Sequence, residues 1–200
     1  MGKSQLTGPL LNAGQQRRRI DLSTVERHRP IVGSAPAPAQ ALNLAWRTEE
    51  DTAEFARRLA ANPAVRNAFI ELQGDLGAGK TTLVRHLLRA LGVTGRIKSP
   101  TYAVVEPYEV HATPPETRPL AIWHFDFYRF SDPREWEEAG FRDLFASPGL
   151  KVAEWPEKAA GVLPVADLVI YIESQLDESR RVHCAAHTTA GQVLLKDACP

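Results

Sequence analysis

The run Gly74-Asp75-Leu76-Gly77-Ala78-Gly79-Lys80-Thr81-Thr82 carries the densest chemical signal in the chain. It matches G-x-x-x-x-G-K-[ST], with Gly74, Gly79, Lys80 and Thr81 in the fixed positions. Glycines let the backbone curl until successive N–H groups face inward at a polyphosphate. In this reading Lys80 reaches the β and γ phosphates and the Thr81 hydroxyl sits on Mg²⁺, while the helix starting there adds the positive end of its dipole. Further candidates lie downstream. Asp126 closes the apolar run Leu120-Ala121-Ile122-Trp123-His124-Phe125, and Glu154 closes Leu150-Lys151-Val152-Ala153. An acid at the carboxyl end of a strand holds Mg²⁺, directly or through water, or orients a water. A terminal aspartate is also ordinary helix-capping chemistry, so Asp126 fits both readings on position alone. Ser99-Pro100-Thr101 sits where P-loop proteins present a hydroxyl to metal or γ-phosphate, and it is equally a turn sequence. His124 is expected to be packed or hydrogen-bonded rather than a ligand. Trp155, beside Pro156, either stacks on a base or a partner or is simply packed.

Such groups act only if regular elements hold them. Ala68-Phe69-Ile70-Glu71-Leu72 reads as a short strand feeding the loop. Behind the loop, Leu83, Val84, Leu87, Leu88 and Leu91 recur at helical spacing, with Arg85, His86 and Arg89 on the other side and Gly92 as a stop. Strand, loop, helix is the setting the motif requires. Upstream, residues 41–46 predict a first strand, and Thr48 or Thr52 caps a helix through Phe55, Leu59 and Ala60 that ends at Asn62-Pro63. Downstream, Ala103-Val104-Val105 reads as strand and residues 110–119 as a polar, Pro-rich loop. Residues 131–145 read as an acidic helix or two, opened by Ser131 or Asp132 with Pro133 in the first turn. Residues 168–172 and 181–185 read as two strands joined by a charged turn through Asp177-Glu178-Ser179. The expected fold class is α/β: a three-layer P-loop NTPase fold with a mainly parallel sheet and its nucleotide crevice at the strands' carboxyl ends.

At 200 residues and 44% apolar content the chain can bury a real core. Residues 1–40 mix Gly, Gln, Ser and Pro around Arg17-Arg18-Arg19 and close on an Ala-Pro repeat, so a flexible tail is expected there, followed by the P-loop domain over 41–200. A formal net charge of +0 argues against a free-standing nucleic-acid binder, and no DNA partner is expected. Neither a membrane-spanning apolar run nor a signal-peptide core is visible, and Cys184 and Cys199 are too few and too late for a disulfide framework. A cytoplasmic protein is the expectation. His183, Cys184 and His187 lack the usual zinc spacing.

Absent motifs narrow the class. There is no Asn-Lys-x-Asp guanine-reading motif and no L-S-G-G-Q segment, which leaves ATP as the default nucleotide and removes transport-type ATPases. The loop Gly74 to Thr82, Ser99-Pro100-Thr101, His124-Phe125-Asp126-Phe127-Tyr128-Arg129, Glu138-Ala139-Gly140-Phe141 and Val152-Ala153-Glu154-Trp155-Pro156-Glu157 together resemble the bacterial TsaE (YjeE) family. These are small ATPases needed for making threonylcarbamoyladenosine in tRNA. The likeness runs from about Leu42 to Leu195, and HFDFYR and EWPE are its discriminating segments.

The resemblance implies a nucleotide site formed by Leu76, Gly77, Ala78, Gly79, Lys80, Thr81 and Thr82, with Thr81, Glu154 and Asp126 at the metal. It places Thr101 on a mobile loop, and brings Thr52, Glu157 and a late-strand arginine, Arg180 or Arg181, near the nucleotide. Lys80, Asp126 and Glu154 would be the catalytic groups, and ATP with Mg²⁺ the cofactors. The implied function is slow ATP hydrolysis that acts as a switch on a complex of the TsaD and TsaB proteins, with tRNA met only through that complex. A small-molecule or nucleoside kinase using the same site, with Asp126 as base, is the alternative; a nucleotide-sensing interaction module with negligible turnover is a third reading. The chain departs from the family in its long amino-terminal segment and in the extended stretch 109–119.

Overall fold

A computed structural model describes residues 40–112, 118–132, 135–136 and 139–198. The tail expected over 1–40 lies outside the described residues except for Gln40, and so do Pro133, Glu138 and Cys199. In chain order the elements are β1 (Gln40–Trp46), α1 (Glu49–Ala61), a 3-10 turn (Pro63–Asn67), β2 (Phe69–Gln73), α2 (Lys80–Ala90), β3 (Val105–Val110) and β4 (Leu120–Asp126). Then follow α3 (Phe141–Ala146), β5 (Leu150–Glu154), a second 3-10 turn (Pro156–Ala159), β6 (Leu168–Ser174), β7 (Arg180–Ala186) and α4 (Thr189–Ala198).

The strands form one 7-stranded sheet in the order β1-β7-β6-β2-β5-β4-β3. Its centre, β6-β2-β5-β4, is parallel. Each edge is antiparallel, through the β6–β7 and β7–β1 pairs on one side and β3–β4 on the other. The central strands are the apolar ones because a parallel sheet is covered on both faces. Alternation along β2 shows this: Ile70 and Leu72 point into one core, Phe69 into the other.

The first core joins Ile70, Leu72, Ile122, Leu150, Val152, Leu168 and Ile170 of the sheet to Leu59 of α1, Leu83, Leu87 and Leu88 of α2 and Leu194 of α4. Each such side chain contributes about 1.5–3 kcal/mol when removed from water. The opposite face is aromatic. Phe69, Phe125, Phe127, Phe130, Trp136 and Phe141 cluster there, with Phe125 and Phe127 stacked at 5.6 Å and Phe125 and Phe145 at 4.9 Å. Such ring pairs contribute about 0.5–1.5 kcal/mol beyond their area.

Thr48, of the two threonines considered, caps α1: its side chain accepts from Asp51 N while Asp51 accepts from the Thr48 backbone. Asn62 ends that helix and ties it to α4, donating 2.7 Å to Asp197 and 3.3 Å to the Val193 carbonyl. The expected strand at 103–105 is displaced. Ala103 lies in a turn, Val104 is left-handed (φ 65), and the strand starts only at Val105, continuing to Val110 into the stretch expected to loop. Pro107 is tolerated because β3 is an edge strand, where a missing N–H faces no neighbour.

Candidate functional site

β2 ends at Gln73, and Gly74 turns the chain at φ +130. A Cβ on Gly74 would lie 2.1 Å from the Ile172 carbonyl oxygen of β6, so only glycine lets the loop leave the sheet this closely. Gly79, also left-handed at φ 110, is the residue before α2. The loop therefore delivers Lys80 and Thr81 as the first residues of a helix whose free N–H groups face the crevice.

Lys80 is 4% exposed, and its Nζ donates to the loop's own carbonyls, Gly74 at 2.5 Å and Asp75 at 2.8 Å. It also stands 3.9 Å from the centre of the Trp155 ring. Burial pushes the Lys80 ammonium below its ordinary range, against the pull of Glu154, Glu157, Asp126 and Asp75. Trp155 reaches this position because its backbone is left-handed, φ 58, with its N–H on the Leu72 carbonyl at 3.3 Å.

The acids arrive through register. β2, β5 and β4 are parallel neighbours, with Leu72 opposite Glu154 and Glu154 opposite Asp126. Both carboxylates therefore emerge at carboxyl ends, 2% and 3% exposed, on the face covered by α2. The Thr81 hydroxyl lies 2.9 Å and 2.8 Å from the two Glu154 oxygens. Asp126 accepts from the Thr101 hydroxyl at 2.7 Å, from the Ser99 hydroxyl, and from Tyr128 N at 3.0 Å. The segment carrying these hydroxyls is pinned by Val104, whose N–H donates to Pro100 O at 2.7 Å and whose carbonyl accepts from Asp126 N at 2.9 Å. His124, fully buried, places Nε2 2.9 Å from Glu154 Oε1. The expectation of a hydrogen-bonded imidazole matches this contact.

Two clefts flank the loop. One, of about 320 Å³, is lined by Leu76, Gly77, Ala78, Gly79, Lys80, Thr81, Thr82, Ser99, Thr101, Asp126, Tyr128, Glu154 and Trp155. The other, of about 220 Å³, is lined by Trp46, Arg47, Thr48, Glu49, Thr52, Ala78, Gly79, Thr82, Glu178 and Arg180. Ala78, Gly79 and Thr82 belong to both, so the clefts adjoin across the loop. Arg180 donates from Nε to the Ala78 carbonyl at 2.9 Å, whereas Arg181 pairs with Glu173 at 3.2 Å on the surface. Glu157 lines neither cleft; it is exposed, and its charge reaches Lys80 and Glu71.

The oxygen set Thr81, Glu154 and Asp126 suits Mg²⁺, a hard cation that binds through one or two carboxylates and completes its shell with water and phosphate. No group of three or more His, Cys, Asp or Glu side chains able to hold a metal occurs among the described residues. Sequence reasoning passed over His124 as a site residue, although it lies two residues before Asp126 on the same strand face, and over Tyr128, Trp46 and Arg47. The period-2 spacing of His124 and Asp126 was the available signal.

A parallel-centred sheet whose strand opens through a glycine loop into a helix, with acids at the two adjoining strand ends, defines the P-loop NTPase class of fold. The family model described as "Threonylcarbamoyl adenosine biosynthesis protein TsaE" matches residues 46–182. The chain belongs to the TsaE family, which serves the biosynthesis of threonylcarbamoyladenosine in tRNA. It is 39% identical over 142 residues to the tRNA threonylcarbamoyladenosine biosynthesis protein TsaE of Haemophilus influenzae, covering 71% of this chain and 85% of that one. The protein of the same name from Bacillus subtilis is 33% identical over 141 residues, covering 70% and 83%. The crystal structure of Bacillus subtilis YdiB superposes with a TM-score of 0.63 at 24% identity, covering 81% of this chain and 96% of that one, a likeness of fold. No helix among the described residues is long and apolar enough to cross a membrane.

Proposed function

We propose that this protein binds Mg·ATP in the two adjoining clefts and hydrolyses it slowly, as a switch acting on the TsaD–TsaB complex in the cytoplasm. The observation that carries this reading is the meeting of Thr81 and Glu154 at 2.8 Å beside Lys80, inside the cleft that Asp126 also lines. Lys80 is the cation for the β and γ phosphates, and it leaves the Gly74 and Asp75 carbonyls to reach them. Thr81 and Glu154 would hold Mg²⁺, with Asp126 supporting the metal or its water; the metal would neutralise charge on the transferring phosphoryl group. Loop N–H groups bind phosphate oxygens, and the cleft lined by Trp46, Thr52 and Arg180 takes the rest of the nucleotide. Ser99 and Thr101, now on Asp126, form the segment able to change partners when the γ-phosphate enters or leaves. Hydrolysis then resets a partner; the transfer onto tRNA belongs to the complex.

A kinase would need Asp126 as a base. Its oxygens are already engaged by Ser99, Thr101 and Tyr128 N, which favours a fixed carboxylate over a proton acceptor. The deciding experiment is a reconstituted tRNA modification assay with TsaD and TsaB. Lys80→Ala and Glu154→Ala should each abolish stimulation by ATP, with free phosphate as the product in the unaltered protein. Full stimulation by both variants, or a phosphorylated metabolite in place of free phosphate, rejects the proposal.

A further inference from the structure

The fully buried imidazole of His124 has a use that a packing role does not explain. His124 follows Leu120 and Ile122 on the inward face of β4, where the pattern calls for an aliphatic side chain. Burying an imidazole there is unfavourable unless its nitrogens are paired. Only one is: Nε2 meets Glu154 Oε1 at 2.9 Å, while Nδ1 is buried with no partner among the described residues. A buried N–H without an acceptor is the more costly arrangement, so the ring's hydrogen belongs on Nε2, pointing at the carboxylate.

Glu154 carries two oxygens and Thr81 has one hydrogen to give them. With Nε2–H on Oε1 at 2.9 Å, the Thr81 hydroxyl has its shorter contact, 2.8 Å, on Oε2, the oxygen that His124 does not engage. We propose that His124 is a positioning residue, holding Glu154 from inside the sheet so that Oε2 faces Thr81 and the cleft. This rests on the reading of Thr81 and Glu154 as the cation site. The need is greatest when the Thr81 oxygen turns to a cation and its hydrogen turns away, because His124 is then the donor that keeps a 2% exposed carboxylate from rotating.

The test compares His124→Leu and His124→Gln with Glu154→Gln and the unaltered protein. For each, the dissociation constant of a fluorescent, N-methylanthraniloyl-labelled ATP is measured with Mg²⁺ and again with EDTA, and the ratio of the two reports how far metal assists binding. His124→Leu should shrink that ratio about tenfold with EDTA binding unchanged, and His124→Gln, whose amide N–H can reach Glu154, should stay within about threefold. Loss of fold alone would weaken both constants together and leave the ratio intact. A His124→Leu ratio equal to that of the unaltered protein, with EDTA binding retained and Glu154→Gln reduced, overturns the role of His124 and leaves the cation site standing. An unchanged ratio in Glu154→Gln overturns the cation site and this inference with it. Should His124→Leu fail to fold, His124→Asn, too short to reach Glu154, replaces it: a reduced ratio beside a retained one in His124→Gln supports the inference, and equal ratios in the two overturn it.

Discussion

The Thr81 hydroxyl and the Glu154 carboxylate, 73 positions apart in the chain, meet at 2.9 Å and 2.8 Å through both carboxylate oxygens. A strand end and a helix start are thereby joined across the mouth of the crevice, with Lys80 one residue before the hydroxyl. Thr81→Ala is expected to weaken Mg²⁺-dependent nucleotide binding by about 10–100-fold, whereas Thr81→Ser keeps it. Titration with and without Mg²⁺ checks this, and equal losses in the two variants would contradict the hydroxyl's role.

Lys80 resting 3.9 Å from the Trp155 ring gives a built-in optical signal. When phosphates draw Lys80 away, the environment of Trp155 changes, so Mg·ATP is expected to alter tryptophan emission. Trp155→Phe should abolish most of that change. Trp46 lines the cleft proposed for the rest of the nucleotide, so Trp46→Phe separates its share of the signal; a change that survives intact in Trp155→Phe would contradict the displacement of Lys80 from the ring.

Arg180 and Arg181 are adjacent in sequence and opposite in setting. Arg180 braces the Ala78 carbonyl, while Arg181 is 67% exposed in its pair with Glu173. Arg180→Ala is expected to weaken nucleotide binding about tenfold, and Arg181→Ala less than about twofold, since an exposed ion pair contributes about 0–1 kcal/mol. Calorimetric titration of the two variants separates them.

Gly74→Ala tests the loop's exit from β2. Its Cβ would meet the Ile172 carbonyl oxygen at 2.1 Å from a backbone at φ +130. The expected loss is about 3 kcal/mol or more, read as a lower urea midpoint. A midpoint unchanged from the parent protein would mean that β6 yields at that point.

Glu71 offers a pH dependence. Burial raises its carboxyl above the ordinary value of 4.5, the Gln73 amide opposes this, and Glu157 adds to it. Because the folded state holds this proton to higher pH than the unfolded one, stability falls as pH rises from 4.5 through the folded value, and the cost persists above it. Glu71→Gln should therefore be more stable than the parent at pH 8 and show no such advantage at pH 4. Urea midpoints at the two pH values measure it.

Much of this architecture is legible in contiguous residues. The glycine loop, the period-2 and helical patterns on either side of it, Asn62 closing α1 and the turn Asp177-Glu178-Ser179 between β6 and β7 are all local features. The start of β3 is not. The apolar run Ala103-Val104-Val105 reads as a strand from its residue types, but the left-handed backbone at Val104 follows from the docking of its carbonyl on Asp126 N, a contact with a different strand.

Read along the chain alone, the residues establish that a glycine loop of the phosphate-binding pattern stands between a strand and a helix, that acids close two later strands, and that the resemblance is to TsaE, the family to which the chain belongs. These follow from neighbours in sequence, where backbone freedom, capping and side-chain alternation act over a few residues. Packing in three dimensions settled which acid meets Thr81, that His124 stands behind Glu154, that Arg180 rather than Arg181 faces the loop, and that Lys80 rests on Trp155. The acids and His124 depend on the register of β2, β5 and β4, and the two arginines on that of β6 and β7; a shift of one residue in either would turn those side chains to the opposite face.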